Sequence, residues 1–306
     1  MGREGAVDEF VQQLANGVTK GSYYALIALG YTMVYGIIQL INFAHGEVFM
    51  LGAFIGLWTF NLGVTAFGWG STSLVALVVV LLMATLITPL IGVSLERFAY
   101  RPLRNAPRLA PLITALGASF ALQQLVAVFY SRGQLAFPDL FPNTSFQIAG
   151  ANIQLLWVFM VALALLLTFT LTAFIRTTRL GKAMRATAED PDTARLMGIN
   201  VDMIIALTFI IGSALAGIGG VLAGMYLGQV NFFMGFIAGL KAFTAAVLGG
   251  IGNIAGAVLG AFLLGILETF GAAYLGGEWQ DVFAFGVLIL VLVFRPTGLL
   301  GERVAA

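Results

Sequence analysis

Cysteine is absent and histidine occurs once, at His45. Without thiols there are no disulfides, thiolate metal sites or thiol nucleophiles, and a single imidazole cannot build a multi-histidine metal centre. Charge is almost as scarce. Only 9% of the 306 residues are Asp, Glu, Lys or Arg, where a soluble domain carries roughly a quarter. A large core does not explain the deficit, because a water-facing surface still has to be covered. A net charge of +1 leaves no basic field for nucleic acid. No G-x-x-x-x-G-K-S/T phrase occurs, so the chain brings no P-loop for ATP. The start, MGREGAVDEF, lacks the basic-then-apolar order of a cleaved signal, and Ala6 breaks a myristoylation match. Targeting then falls to the first apolar segment.

What is abundant is apolar length. Hydrophobic residues make up 60% of the chain, the mean hydropathy is +0.98, and several runs reach the ~20 residues of a membrane-crossing helix. The runs lie at 10–37, 41–60, 73–96, 109–130, 153–175, 203–227, 233–249, 253–275 and 280–295. An unpaired backbone in lipid is costly and the alternation of a membrane β-barrel is missing. The expectation is an all-α, polytopic integral membrane protein with eight or nine crossings, some broken or short. It forms one transmembrane unit over 1–306, with no separate soluble domain.

Basic residues set the orientation. Arg97, Arg101, Arg104 and Arg108 share one loop, Arg176, Arg179, Lys182, Arg185 and Arg195 a second, and Arg295 and Arg303 close the chain. These are eleven of the fifteen, and they mark the cytoplasmic side. The opposing loops, 131–152 and 276–281, hold only Arg132. Loop 131–152, with Pro138 and Pro142, reads as a plain loop or a short amphipathic cap. Nine full crossings put the N-terminus outside, and one re-entrant segment reverses that.

The 38 glycines include several spaced four apart: Gly52 and Gly56; Gly220, Gly224 and Gly228; Gly252, Gly256 and Gly260. Such spacing lets helix backbones meet closely, either as fixed packing or as faces that slide. Two stretches interrupt the apolar runs, Gln39–Glu47 (QLINFAHGE) and Leu248–Asn253 (LGGIGN). Leu51-Gly52-Ala53-Phe54 and Leu259-Gly260-Ala261-Phe262 follow them as a short echo. Paired broken helices of this kind line substrate routes in transporters, which makes Asn42, His45, Glu47, Gly250, Gly252 and Asn253 the candidate pathway residues. The competing reading of Asn42, His45 and Glu47 is a wet turn at the interface that caps the next helix. Lys20 and Lys241 are expected to snorkel outward, and Glu268 either pairs with Lys241 or sits near its helix end. GGIGNIA (Gly249 to Ala255) matches a loose dinucleotide fingerprint, but no βαβ unit surrounds it.

The longest stretch without a membrane-grade run is Arg176 to Asp202, with five basic and four acidic residues. Asp190 caps a helix start, Pro191 suits its first position, Asp192 favours the positive end, and Gly198 stops it. Thr193, Ala194, Arg195, Leu196 and Met197 lie between. A short capped helix in water keeps its shape when pushed, so this loop is where a motor subunit would act. The other reading is a connecting loop that happens to be helical.

Five phrases together resemble the LivH-type permease of branched-chain amino-acid ABC importers: Tyr24–Tyr31 (YALIALGY), Ile41–Glu47 (INFAHGE), Ala188–Asn200 (AEDPDTARLMGIN), Lys241–Gly252 (KAFTAAVLGGIG) and Arg295–Gly298 (RPTG). The likeness covers nearly the whole chain. It implies a multi-pass permease of the bacterial inner membrane that moves leucine, isoleucine or valine and is no enzyme itself. Implied partners are a second, related permease, two cytoplasmic ATPases that bind the ATP, a periplasmic amino-acid-binding protein, and lipid. No cofactor or metal is implied on this chain. The resemblance makes Glu189, Asp190, Pro191, Asp192, Ala194, Arg195, Leu196, Met197 and Gly198 the ATPase-coupling segment. Glu189-Asp190-Pro191 stands where many importer permeases have Glu-Ala-Ala. Related permeases for urea or short amides share the Asn-x-Ala-His-Gly-Glu phrase, so it does not name the cargo. The competing class is a self-sufficient channel or ion-coupled carrier, disfavoured by the few membrane carboxylates.

Overall fold

A computed structural model of the protein describes residues 3–70, 72–104, 106–107 and 109–301. Its helices in order are α1 (Arg3–Ile38), α2 (His45–Phe67), α3 (Leu74–Leu95), α4 (Leu109–Phe129), α5 (Leu155–Thr177), α6 (Arg179–Glu189), α7 (Pro191–Leu196), α8 (Val201–Leu227), α9 (Met234–Gly249), α10 (Ile254–Leu275) and α11 (Gln280–Phe294). α3 runs on through a wider turn at Glu96–Tyr100 and a tighter one at Arg101–Leu103.

Helix starts follow local chemistry. The side chains of Ser73, Thr178, Asp190, Asn200 and Asn253 each accept a backbone amide two or three residues on, which serves donors that have no intrahelical acceptor. Among the described residues, eight stretches are long and apolar enough to cross a membrane: those of α1 to α5, α8, α10 and α11. α9 has 16 residues, about 24 Å of helix, which is short of the ~30 Å hydrocarbon layer. It is preceded by the short strand Gln229–Val230 and a turn at 232–233.

The side of the N-terminus follows from one pair. Asn152 donates its backbone N–H to Gln12 Oε1 at 2.7 Å, and Gln12 Nε2 donates back to the Asn152 carbonyl. The start of α1 therefore lies on the face of loop 131–152, opposite the basic loops. Arg108 and Arg303 lie outside the described residues.

Loop 131–152 is not a plain loop, because it carries three short strands. Leu135–Ala136 (β1) pairs antiparallel with Gln229–Val230 (β4), and Ser145–Ile148 (β2) pairs with Ala151–Gln154 (β3). Ala149 and Gly150 both have positive φ, +49° and +79°, which suits a two-residue hairpin turn.

α1 and α8 form the buried centre, and Tyr23 to Leu29 are at most 4% exposed. α2, α3, α9 and α10 surround them. α5 and α11 turn apolar side chains such as Leu166 and Phe294 outward, as lipid-facing helices do. The glycines spaced by four divide into two kinds. A Cβ on Gly52 would overlap the Gly217 backbone on α8, and one on Gly260 would overlap Ala245 on α9; these are helix contacts. Gly228 and Gly252 have open space and φ of +65° and +95°, so they end or turn the chain instead.

Candidate functional site

The first broken stretch is real, and it runs from exposed Gln39 to buried Asn42 and Ala44–Glu47. Gln39, at φ +52°, ends α1, and residues 39–44 turn back along it. His45 then lies against Gly30, eight residues before the end of α1, which is about 12 Å of helix rise. α2 thus begins within the bundle rather than at its edge. Asn42, His45 and Glu47 are 2%, 2% and 0% exposed, so the wet-turn reading fails. Tyr100 donates its hydroxyl to Asn42 Oδ1 at 2.6 Å, and the His45 ring stands edge-on to Tyr31.

Glu47 faces two elements. Its Oε1 accepts from Ser119 Oγ at 2.9 Å and from Gln123 Nε2 at 2.8 Å, both on α4. Its Oε2 has no partner among the described residues, and neither do His45 Nε2 and Thr32 Oγ1. Oε2 points at Gly235 in the first turn of α9. There Gly46 meets Gly235 and Gly239 backbone to backbone: a Cβ on Gly239 would lie 2.9 Å from Gly46 Cα. Two helix N-termini, those of α2 and α9, therefore abut at one carboxylate.

The second stretch is built differently. Gly250 and Gly252, at φ +108° and +95°, form the α9–α10 turn, and Asn253 caps α10. The C-terminal segment closes over this turn: Leu299 and Leu300 donate to the Leu248 and Gly249 carbonyls, each at 2.9 Å, and Asn253 Nδ2 donates to the Leu300 carbonyl. The turn sits beside Gly36, at the basic-face end of α1, and Gly252 lines a cavity of about 100 Å³ with Thr32, Gly36, Met184 and Arg185. A further interruption, not expected from the sequence, is the 229–233 lead into α9. Asn231 was its signal: its Oδ1 accepts the Phe233 amide at 3.0 Å and turns the chain into α9.

The membrane lysines do not snorkel. Lys20 Nζ lies 3.2 Å from Glu268 Oε1, Lys241 bonds the same oxygen, Tyr24 donates to Oε2 at 2.9 Å, and Lys241 also meets Asp281 at 2.6 Å. An inward partner outweighs the interface here, because a buried charge without one is costly.

On the basic face, α6 and α7 form one arm. α6 buries Gly181, Met184 and Thr187 while Arg179, Lys182 and Arg185 stay exposed, a helical spacing that sequence reading treated as loop. Asp190 holds the start of α7: Thr193 donates its hydroxyl, and the amides of Asp192 and Thr193 lie at 2.9 and 3.2 Å. The Thr193 hydroxyl first, then those amides, hold its carboxyl below the usual aspartate range. Ala194 is buried among Tyr100, Val201 and Phe209. Leu196 and Met197 are 87% and 78% exposed, beside Arg195, which pairs with Asp192 at 2.7 Å. Glu189 ends α6, Pro191 opens α7, and Gly198 turns out of it at φ +84°. Asp202, just beyond, is gripped by Arg101 and Arg104, and Arg104 also holds Glu96. The start of α8, which follows the arm, is thereby tied to the extension of α3. Among the described residues, no group of three or more His, Asp or Glu is placed to hold a metal ion.

The family described as "Branched-chain amino acid transport system / permease component" matches residues 13–292. The chain is 50% identical over 297 residues to the high-affinity branched-chain amino acid transport system permease protein BraD of Pseudomonas aeruginosa, covering 96% of each. It is 48% identical over 301 residues to the permease protein LivH of Escherichia coli K12, again 96% of each. A probable LivH of Methanocaldococcus jannaschii is 28% identical over 298 residues. No solved structure matches.

Proposed function

The chain belongs to the branched-chain amino-acid transport permease family, and from that premise we propose that it forms one half of the membrane conduit of an ATP-driven importer for leucine, isoleucine and valine. It is a multi-pass protein of the inner membrane. ATP is bound and split on two partner chains at the cytoplasmic face, a second, related permease completes the conduit, and a periplasmic binding protein delivers the cargo.

The observation that carries the reading is the arm. α7 is capped by Asp190, anchored by buried Ala194, and presents Leu196 and Met197 to water beside Arg195 and Asp192. Exposed apolar side chains on a basic, water-facing element fit a protein partner rather than lipid. Residues 189–198 dock the ATPase. Movement of the arm reaches the bundle by two links, the start of α8 that follows it, where Asp202 is clamped by Arg101 and Arg104 of the α3 extension, and the contact of Met184 and Arg185 with the cavity at Gly252. Asn42, His45 and Glu47 line the path within the bilayer, and Gly250, Gly252 and Asn253 stand at its cytoplasmic end.

Purification in mild detergent tests this. An ATPase pair and a second permease should co-purify with the intact chain and be lost when 188–198 is scrambled. Uptake of leucine against its gradient by this chain alone in liposomes would instead make it a self-sufficient carrier.

A further inference from the structure

We propose that the junction of α2 and α9 is the recognition point for the two charged ends of the amino acid in transit, with Glu47 Oε2 receiving the ammonium and the first-turn amides of α9 receiving the carboxylate. This rests on the importer reading and deepens it.

Three observations converge. Glu47 is 0% exposed, yet one of its oxygens has no partner among the described residues. A carboxylate in hydrocarbon normally has its lone pairs filled, and one left open marks a working group. The open oxygen faces Gly235 in the first turn of α9, where the Met234 amide bonds the Asn231 carbonyl at 3.3 Å, the amides that follow have no preceding turn to bond, and the helix end carries partial positive charge. The junction thus offers a negative group and a positive one a few ångströms apart, which is the pattern of a zwitterion.

The neighbouring side chains are apolar. Phe120 on α4, which is half exposed, and Phe236 on α9 stack at 6.5 Å and adjoin Ser119 and Gly235 in the chain, and Met50 lies against Gly235. The contact is closed in this state, because Gly46, Gly235 and Gly239 touch backbone to backbone. Glycine pairs have no side chains to interlock, so separating α2 from α9 breaks little and opens both charged groups at once. Glu47 neutralises the α9 end while the junction is shut and exchanges it for the ammonium when cargo enters.

The test uses the complete importer, reconstituted with its binding protein and ATPases made free of cysteine, with leucine as cargo. Glu47→Gln keeps an acceptor for Ser119 and Gln123 but loses the charge. It is expected to cut leucine uptake per assembled complex at least tenfold, and uptake within twofold of the parent overturns the proposal. Because Glu47→Gln can fail to assemble, a second measurement stands beside it. This chain has no cysteine, so S119C is its only thiol. That thiol should react with a water-soluble maleimide during turnover and be shielded by saturating leucine, and a thiol unreactive in every state overturns the proposal whatever Glu47→Gln does. If the parent importer itself moves no leucine, the importer reading fails instead.

Discussion

Glu47 and Glu268 are both membrane glutamates with 0% exposure, and they are treated in opposite ways. Glu268 has every oxygen engaged, by Lys20 and Lys241 on one and Tyr24 on the other, with Asp281 balancing the second lysine. Its cluster ties α1, α9, α10 and α11 into one body. Glu47 has one oxygen held by α4 and one left open toward α9. A neutral, saturated network rigidifies, whereas a half-filled one keeps a group in reserve. The difference separates a carboxylate that holds helices together from one that handles cargo.

The sharpest way to break this contrast is Glu268→Ala. It strands Lys20 and Lys241 without their carboxylate and is expected to cost about 3–5 kcal/mol, read as a loss of folded protein in detergent melts. An unchanged melt would remove the structural role assigned to that cluster. Next in size is Gly235→Val, which forces side-chain atoms into the Gly46 backbone. It is expected to cost about 1–3 kcal/mol and to abolish uptake in complexes that still assemble.

The arm gives a milder contrast. Leu196→Ser with Met197→Ser alters exposed side chains, so stability should move by less than about 0.5 kcal/mol while ATPase co-purification falls severalfold. Asp190 provides the smallest effect. Its carboxyl is held below the ordinary aspartate value of 3.8, so its contribution is complete above that value and is lost as pH falls through the depressed folded one. Amide protection over 190–198 should stay flat from neutral pH down to about pH 4 and decline only below it.

Much of this was legible from the chain. Apolar run lengths gave the spans, and the basic residues gave the sides. The Asp190-Pro191 start and the Gly198 stop outlined α7, because capping is local chemistry. What was not legible depends on distant partners. Lys20 and Lys241 looked like snorkelling residues because nothing near them in sequence reveals Glu268. The hairpin at 145–154 was hidden by its short length. The break at 229–233 is hard to read because 233–249 is an ordinary apolar run, and the phrase at 248–253 does not reveal that the C-terminal segment closes over its turn. α6 is polar enough to look like loop, yet Arg179, Lys182 and Arg185 lie three apart and Thr178 caps its start.

The most direct test compares Glu47→Gln with Glu268→Gln in the same reconstituted importer, scoring both the amount of assembled complex and leucine uptake per complex. The expected result is a crossed pattern. Glu268→Gln yields less complex that works within about twofold of the parent, and Glu47→Gln yields complex whose uptake falls at least tenfold, about 1.4 kcal/mol or more in the transport barrier. If both variants lose complex and uptake in the same proportion, the two carboxylates do the same job and the distinction between them is contradicted.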